Sequence, residues 1–220
     1  MTAARSLEIE RKYDVDADTP LPDWDLLPGV ATVDAPEPRA LDARYFDTPD
    51  GRLAAALTAL RRRTGGPDEG WHIKQSTPAG RLETQWPLDI EDVADAGDAA
   101  GAPDAGAPAR VPAEVLAALA PIAAPPFVEL ARIRNARTAY ALRDAAGGLV
   151  AEFVDDRVIA TDVRRGVQTA WREWELELGP AAPGEAGARA ALFAVADALV
   201  AGVGGRVSAS GSKIARALGA

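Results

Sequence analysis

Leu7-Glu8-Ile9-Glu10-Arg11-Lys12-Tyr13 carries the pattern that decides the fold. In an extended strand, successive side chains point to opposite faces. Glu8, Glu10 and Lys12 therefore share one face, and Leu7, Ile9 and Tyr13 share the other. The same split returns far along the chain. In Glu173-Trp174-Glu175-Leu176-Glu177-Leu178, three carboxylates oppose one tryptophan and two leucines. In Arg81-Leu82-Glu83-Thr84-Gln85-Trp86, Arg81, Glu83 and Gln85 oppose Leu82 and Trp86. Arg61 and Arg63 share a face, and Lys74 lies opposite Trp71 and Ile73.

Strands of this kind usually turn the apolar face to a core and the charged face to water. Taken alone, Glu8, Glu10 and Lys12 fit that arrangement better. The alternative sends the apolar faces outward beneath helices and lets the charged faces converge on an enclosed interior. Buried charge is costly unless it is paired or bound to metal. Both signs are present here, distributed strand by strand. Glu173, Glu175 and Glu177 on one face repel one another unless a cation lies between them.

Outward from these stretches, residues 7–15 and 40–47 read as strands, the second ended by the turn Thr48-Pro49-Asp50-Gly51. Residues 20–38 form a proline-marked connection with a short helical turn near Trp24. Residues 53–63 lead into a third strand, and residues 71–76 and 81–89 pair around Pro78-Ala79-Gly80. Residues 127–143 and 149–155 make a hairpin around Gly147-Gly148, and residues 158–164 and 167–178 another around Arg165-Gly166. Helices are expected at 112–119, at 184–200 and at 212–218. The Ala/Gly/Asp-rich stretch at about 92–110 reads as a linker, without calcium-loop spacing. Eight or nine strands without regular βαβ alternation indicate an α+β, mainly β, fold: a closed antiparallel β-barrel with covering helices.

The 220 residues suit a single domain. With no cysteine there is no disulfide or thiolate site, and the lone His72 rules out a histidine-cluster metal site within one chain. A net charge of −9 argues against nucleic acid as partner. No apolar run is long enough to span a membrane, and residues 1–6 lack a signal core, so the chain reads as cytoplasmic. His72 is read as an ordinary polar position, and Trp71, Trp86, Trp171 and Trp174 as packing residues.

Alternating acidic and basic rows suit a triphosphate. Arginine and lysine neutralise its oxygens, arginine in bidentate fashion. Carboxylates cannot touch phosphate directly, but they can hold Mg²⁺ or Mn²⁺, hard cations that prefer oxygen. Such a cation polarises the P–O bond and acidifies a bound water.

At Glu8-x-Glu10-x-Lys12 the chain resembles the CYTH superfamily, the triphosphate tunnel metalloenzymes. Tyr45-Phe46-Asp47-Thr48, Leu60-Arg61-Arg62-Arg63, Lys74, Arg81-x-Glu83, Arg137-x-x-Tyr140 and Ser212-Lys213 follow in the family's order. The resemblance implies an eight-stranded antiparallel tunnel. It implies that Lys12, Arg61, Arg63, Lys74, Arg81, Arg137 and Lys213 grip phosphate. It makes Glu8, Glu10, Asp155, Glu173, Glu175 and Glu177 the metal ligands, with Asp156 competing for the place of Asp155. Glu83 joins Glu8, Glu10 and Lys12 as a catalytic candidate, bracing the basic residues or joining the ligands. Gln85 stands where the family often has a second glutamate. Asn135 stands where a basic residue is common, with Arg132 or Arg134 to compensate.

The implied activity is hydrolysis of inorganic triphosphate to diphosphate and phosphate, closest to bacterial inorganic triphosphatases. Alternatives are a class IV-type adenylate cyclase, whose His-Phe pair before the first motif is missing here, a thiamine triphosphatase, and a non-catalytic polyphosphate-binding module. Relatives often continue into a helical, histidine-rich CHAD domain, and nothing like it follows Ala220. Assembly is left open, a homodimer included.

Overall fold

The computed structural model describes residues 3–88 and 109–219. Its strands are β1 (Ala4–Glu8), β2 (Glu10–Val15), β3 (Thr32–Val33), β4 (Glu37–Asp47), β5 (Thr58–Thr64), β6 (Gly70–Thr77), β7 (Gly80–Trp86), β8 (Val128–Arg143), β9 (Leu149–Asp162), β10 (Val167–Leu178) and β11 (Arg206–Val207). The helices are α1 (Arg52–Ala55), α2 (Ala113–Leu119), α3 (Ala186–Gly202) and α4 (Lys213–Leu218), with a 3-10 turn at Trp24–Leu26. The two strands read at 149–155 and 158–164 are one strand, β9, and all but the last two residues of the linker at 92–110 lie outside the described residues.

All the described strand pairs are antiparallel, and ten strands follow one path, β1-β7-β6-β5-β4-β8-β9-β10-β2-β11, with β3 beside β8. The expected closed eight-stranded barrel is corrected here: the sheet is a strongly curled, open half-barrel. The physical reason is that no described ladder joins the two ends of the path. The first strand breaks at Ile9, so its two halves serve opposite ends of the path. Ala4–Glu8 pairs with β7, while Glu10–Val15 pairs with β10.

Most of the apolar strand faces point outward beneath helices, while Leu7 and Leu82 of β1 and β7 stay exposed. Leu192, Phe193, Ala196 and Val200 fall on one side of α3 and pack on Tyr13, Phe153, Trp174 and Leu176. Asp197 of α3 accepts hydrogen bonds from the Tyr13 hydroxyl (3.0 Å) and Arg11 (3.1 Å), tying β2 to the helix. On the other flank, Val115 and Leu119 of α2 cover Phe46, Leu60, Trp71, Ile73 and Trp86. Gly65 and Gly70 bound the turn between β5 and β6 at positive φ; a Cβ would lie 2.0 Å from the Ala40 carbonyl oxygen and 2.1 Å from that of Trp86.

A third cluster lies on the concave side itself. Ala43, Ile133, Val158 and Ala160 pack against Ala217, with Ile214 and Leu218 alongside. Helix α4 thus covers part of the interior. Ser212 caps it by accepting from Ala215 N at 3.2 Å, Arg216 bonds Asp14 at 2.8 Å and stacks over Trp171, and Arg165 donates to the Leu218 carbonyl at 2.9 Å.

Candidate active site

Much of the rest of the concave face is ionic. A cavity of about 360 Å³ is lined by Glu8, Glu10 and Lys12 from β1 and β2, Arg61 and Arg63 from β5, and Lys74 from β6. Arg81, Arg137, Glu175, Glu177 and Lys213 join them, with Asp47 and Asp68 also among the charged lining. Strand alternation explains the convergence: the neighbours of these residues, Tyr13, Leu60, Ile73 and Trp174 among them, are taken up by the cores under α2 and α3.

The register sets the acids side by side. Glu175 lies opposite Lys12, and Glu177 opposite Glu10. Glu175 is the most heavily paired. It meets Lys12, Lys213 at 2.7 Å and Arg137 at 2.9 Å. Burial pushes its carboxyl up, but the three cations prevail and hold it well below the usual carboxylate range. Behind it, Asp156 receives a two-pronged hydrogen bond from Arg137 (2.8 and 2.7 Å), and Lys213 reaches Asp156 at 2.9 Å and Glu173 at 2.6 Å. Oxygens of Asp156, Glu173 and Glu175 lie within 4.8 Å of one another.

A second acidic group sits nearer the opening. Glu10 bonds Lys12 at 3.1 Å and Arg81 at 3.0 Å, and Glu8 takes Lys74 on both oxygens at 2.7 and 2.9 Å. Loss of hydration, with Glu8, Glu10 and Glu175 nearby, pushes the Glu177 carboxyl up to about 7. Glu8 is also raised, first by burial. The arginines of β5 lie elsewhere on the wall. Burial, with Arg61 and Arg137 close by, pushes the Arg63 guanidinium down to about 9, although Asp68 pairs with it. The Nε atoms of Arg61 and Arg63 and Oδ1 of Asn135 are buried with no hydrogen-bond partner among the described residues. The two arginine Nε donors, left without acceptors on a cavity wall, suit an anion.

Asp155 is elsewhere. Its carboxylate faces the outer core, where Arg172 (2.7 and 3.0 Å) and Trp174 Nε1 (3.1 Å) hold it; Asp156, one residue on, is the aspartate that points inward. Arg132 does not compensate for Asn135: it faces the opposite side of β8 and binds Asp42. Arg134 shares that side. His72 is not an ordinary polar position. It is fully buried and bonded to Glu83 at 2.7 Å. The signal was present, since Trp71 and Ile73 flank it and must point outward.

The chain matches a known family. The CYTH domain family covers residues 6–198. The chain belongs to the CYTH family. It is 38% identical over 231 aligned residues to an uncharacterized protein of Mycobacterium tuberculosis, in strains CDC 1551 and H37Rv. The match takes in 99% of this chain and 41% of that protein, so the chain spans about two-fifths of the length of these curated relatives. Among solved structures, a candidate adenylate cyclase of Bacillus halodurans shares the CYTH-type fold at a TM-score of 0.59 and 21% identity, covering 96% of this chain and 97% of that one. A Hippeastrum protein first regarded as an adenylyl cyclase, with a dominant triphosphatase activity, matches at 0.55 and 18%, covering 97% and 96%. CYTH members include triphosphatases and adenylate cyclases, metal-dependent enzymes that bind triphosphate substrates.

The CYTH chain's own residues suit a divalent cation. The inward donors are carboxylate oxygens, with no cysteine in the chain and its one histidine already bound to Glu83. Among the described residues no helix is long and apolar enough to cross a membrane.

Proposed function

We propose that this chain is a metal-dependent triphosphatase that splits inorganic triphosphate into diphosphate and phosphate, and that its nearest functional kin are the bacterial inorganic triphosphatases. The carrying observation is that cations from β2, β5, β6, β7, β8 and α4 and carboxylates from β1, β2 and β10 line one cavity. Arg61, Arg63, Lys74, Arg81, Arg137, Lys12 and Lys213 grip the phosphates. Arg61 and Arg63 are best placed to bind an end of the chain, because their Nε donors have no protein partner among the described residues.

Glu8, Glu10, Glu173, Glu175 and Glu177 hold Mg²⁺ or Mn²⁺, with Asp156 taking the place expected for Asp155. The bound cation supplies polarisation of the P–O bond and a water of lowered pKa. The acids keep the attacking water in line, and Lys12 and Lys213 neutralise charge that builds on the leaving diphosphate. Glu83 acts by bracing Arg61 and Lys74 at 3.5 and 3.2 Å.

The cavity's remaining wall includes Leu41, Leu57, Leu130, Ile133, Ile214 and Leu218. That apolar surface favours, as a second substrate, a triphosphate carrying an organic group. Phosphate release from tripolyphosphate, ATP and thiamine triphosphate, measured with Mg²⁺, Mn²⁺ or EDTA, tests both. Metal-dependent release from tripolyphosphate is expected. Cyclic AMP without orthophosphate, or tight binding without product, overturns the hydrolase.

A further inference from the structure

His72 is the chain's single histidine, and no step of the proposed reaction uses it. It shares the concave face with Lys74, because Trp71 and Ile73 pack outward under α2. Its Nδ1 lies 2.7 Å from Oε1 of Glu83 on the neighbouring strand. The same oxygen is met by Lys74 Nζ at 3.2 Å and Arg61 Nη2 at 3.5 Å. One carboxylate oxygen therefore links the imidazole to two cations that face the cavity.

The chemistry of that link sets the proton. His72, Lys74 and Arg61 together hold the Glu83 carboxyl well below its usual range against the opposing effect of burial. An ionised carboxylate can only accept, so Nδ1 is the donor and Nε2 carries the lone pair. Nε2 is buried with no partner among the described residues. Burial, with Arg61 and Arg63 nearby, pushes the imidazole down to about 3, so a second ring proton is disfavoured.

We propose that His72 is a positioning residue: a neutral donor that anchors Glu83 so that its remaining capacity is divided between Arg61 and Lys74, fixing both cations on the cavity wall, an assignment that rests on the triphosphate-site reading. Neutrality is the point of the device. A lysine or arginine here would satisfy Glu83 by itself and release its two partners. An apolar residue would leave the carboxylate without the donor that fixes Oε1. Either change moves Arg61 and Lys74, and small misplacements of binding groups are costly in rate.

With one histidine, nitrogen-15 NMR of the imidazole tests the first link without any activity. The expected spectrum at neutral pH is a neutral, Nδ1-protonated ring; an Nε2-protonated ring or an imidazolium overturns the assignment. The second link is tested by tripolyphosphate binding and by kcat and KM. His72→Ala is expected to weaken binding and kcat/KM by about 10- to 100-fold. His72→Gln, whose amide can donate to the same oxygen, should recover to within about threefold of the wild type. In a Glu83→Ala background, His72→Ala should add less than about twofold, since residues acting through one another are not additive. Full additivity, or failure of glutamine to rescue at unchanged melting temperature, overturns it. A wild type that binds tripolyphosphate without turning it over sinks the hydrolase, while the ring spectrum and the binding cycle still decide His72.

Discussion

The concave face has two regions built from the same strands. β8 places Ile133 against α4 and Arg137 beside Glu175, four residues apart; β9 places Val158 in the apolar region and Asp156 in the ionic one, two residues apart. The apolar region closes by dispersion and loss of water, as cores do. The ionic region closes only because each buried charge is answered by another, and its basic side keeps donors unanswered. Inward-facing is thus not a chemical category. Position along the strand, relative to α4, decides whether an inward residue joins the apolar cluster or the ionic one.

Substitutions in the two regions should therefore fail differently. Glu175→Ala strands Lys12, Lys213 and Arg137 together, and breaking a buried ion pair costs about 3–5 kcal/mol. A large fall in melting temperature with turnover lost is expected, and bound tripolyphosphate should restore part of the stability by supplying negative charge. Lys12→Ala should leave the fold cooperative by circular dichroism yet lower kcat by about 10²- to 10³-fold, the scale of one lost transition-state donor. Unchanged turnover would remove Lys12 from the ionic region's chemistry.

Acid should separate the regions as well. The unfolded chain's histidine takes a proton below about pH 6.5, whereas buried His72 refuses it until about 3. The folded state binds fewer protons in that window, so stability falls as pH drops, by up to about 1.4 kcal/mol per pH unit. His72→Gln should lose less stability than the wild type between pH 6.5 and 4 in urea titrations; parallel curves would contradict a buried neutral ring. In the apolar region, Ile133→Val should cost about 0.5–1.5 kcal/mol and leave KM for tripolyphosphate unchanged. A shifted KM would mean that the apolar wall also meets the substrate. Smallest of all, Arg132→Ala removes an outward, partly exposed pair with Asp42, so a cost under about 1 kcal/mol with full activity is expected.

Legibility in the sequence tracks the range of the cause. Which face of each strand carries charge was readable at Glu8, Lys12, Arg61, Lys74 and Glu175, because alternation is a local property of the backbone. The helices at 113–119, 186–202 and 213–218 were readable within two residues for the same reason. Asp155 and Asp156 were not separable, because adjacent acids differ only in parity and the register of β9 is set by β8 and β10. The burial of His72 was readable from its neighbours but not its hydrogen bond, which depends on β7. The break at Ile9 left no local mark at all.

The sequence by itself determined that charged and apolar residues would part to opposite sides of a mainly β sheet, since side-chain direction follows from strand geometry alone. Only the tertiary structure decided that the sheet stays open with its first strand split between two partners, that α4 occupies part of the hollow, and which carboxylate meets which cation. Those outcomes depend on residues far apart in sequence reaching within a few ångströms of one another, and both packing and Coulomb energy are fixed by distances that no single stretch of chain contains.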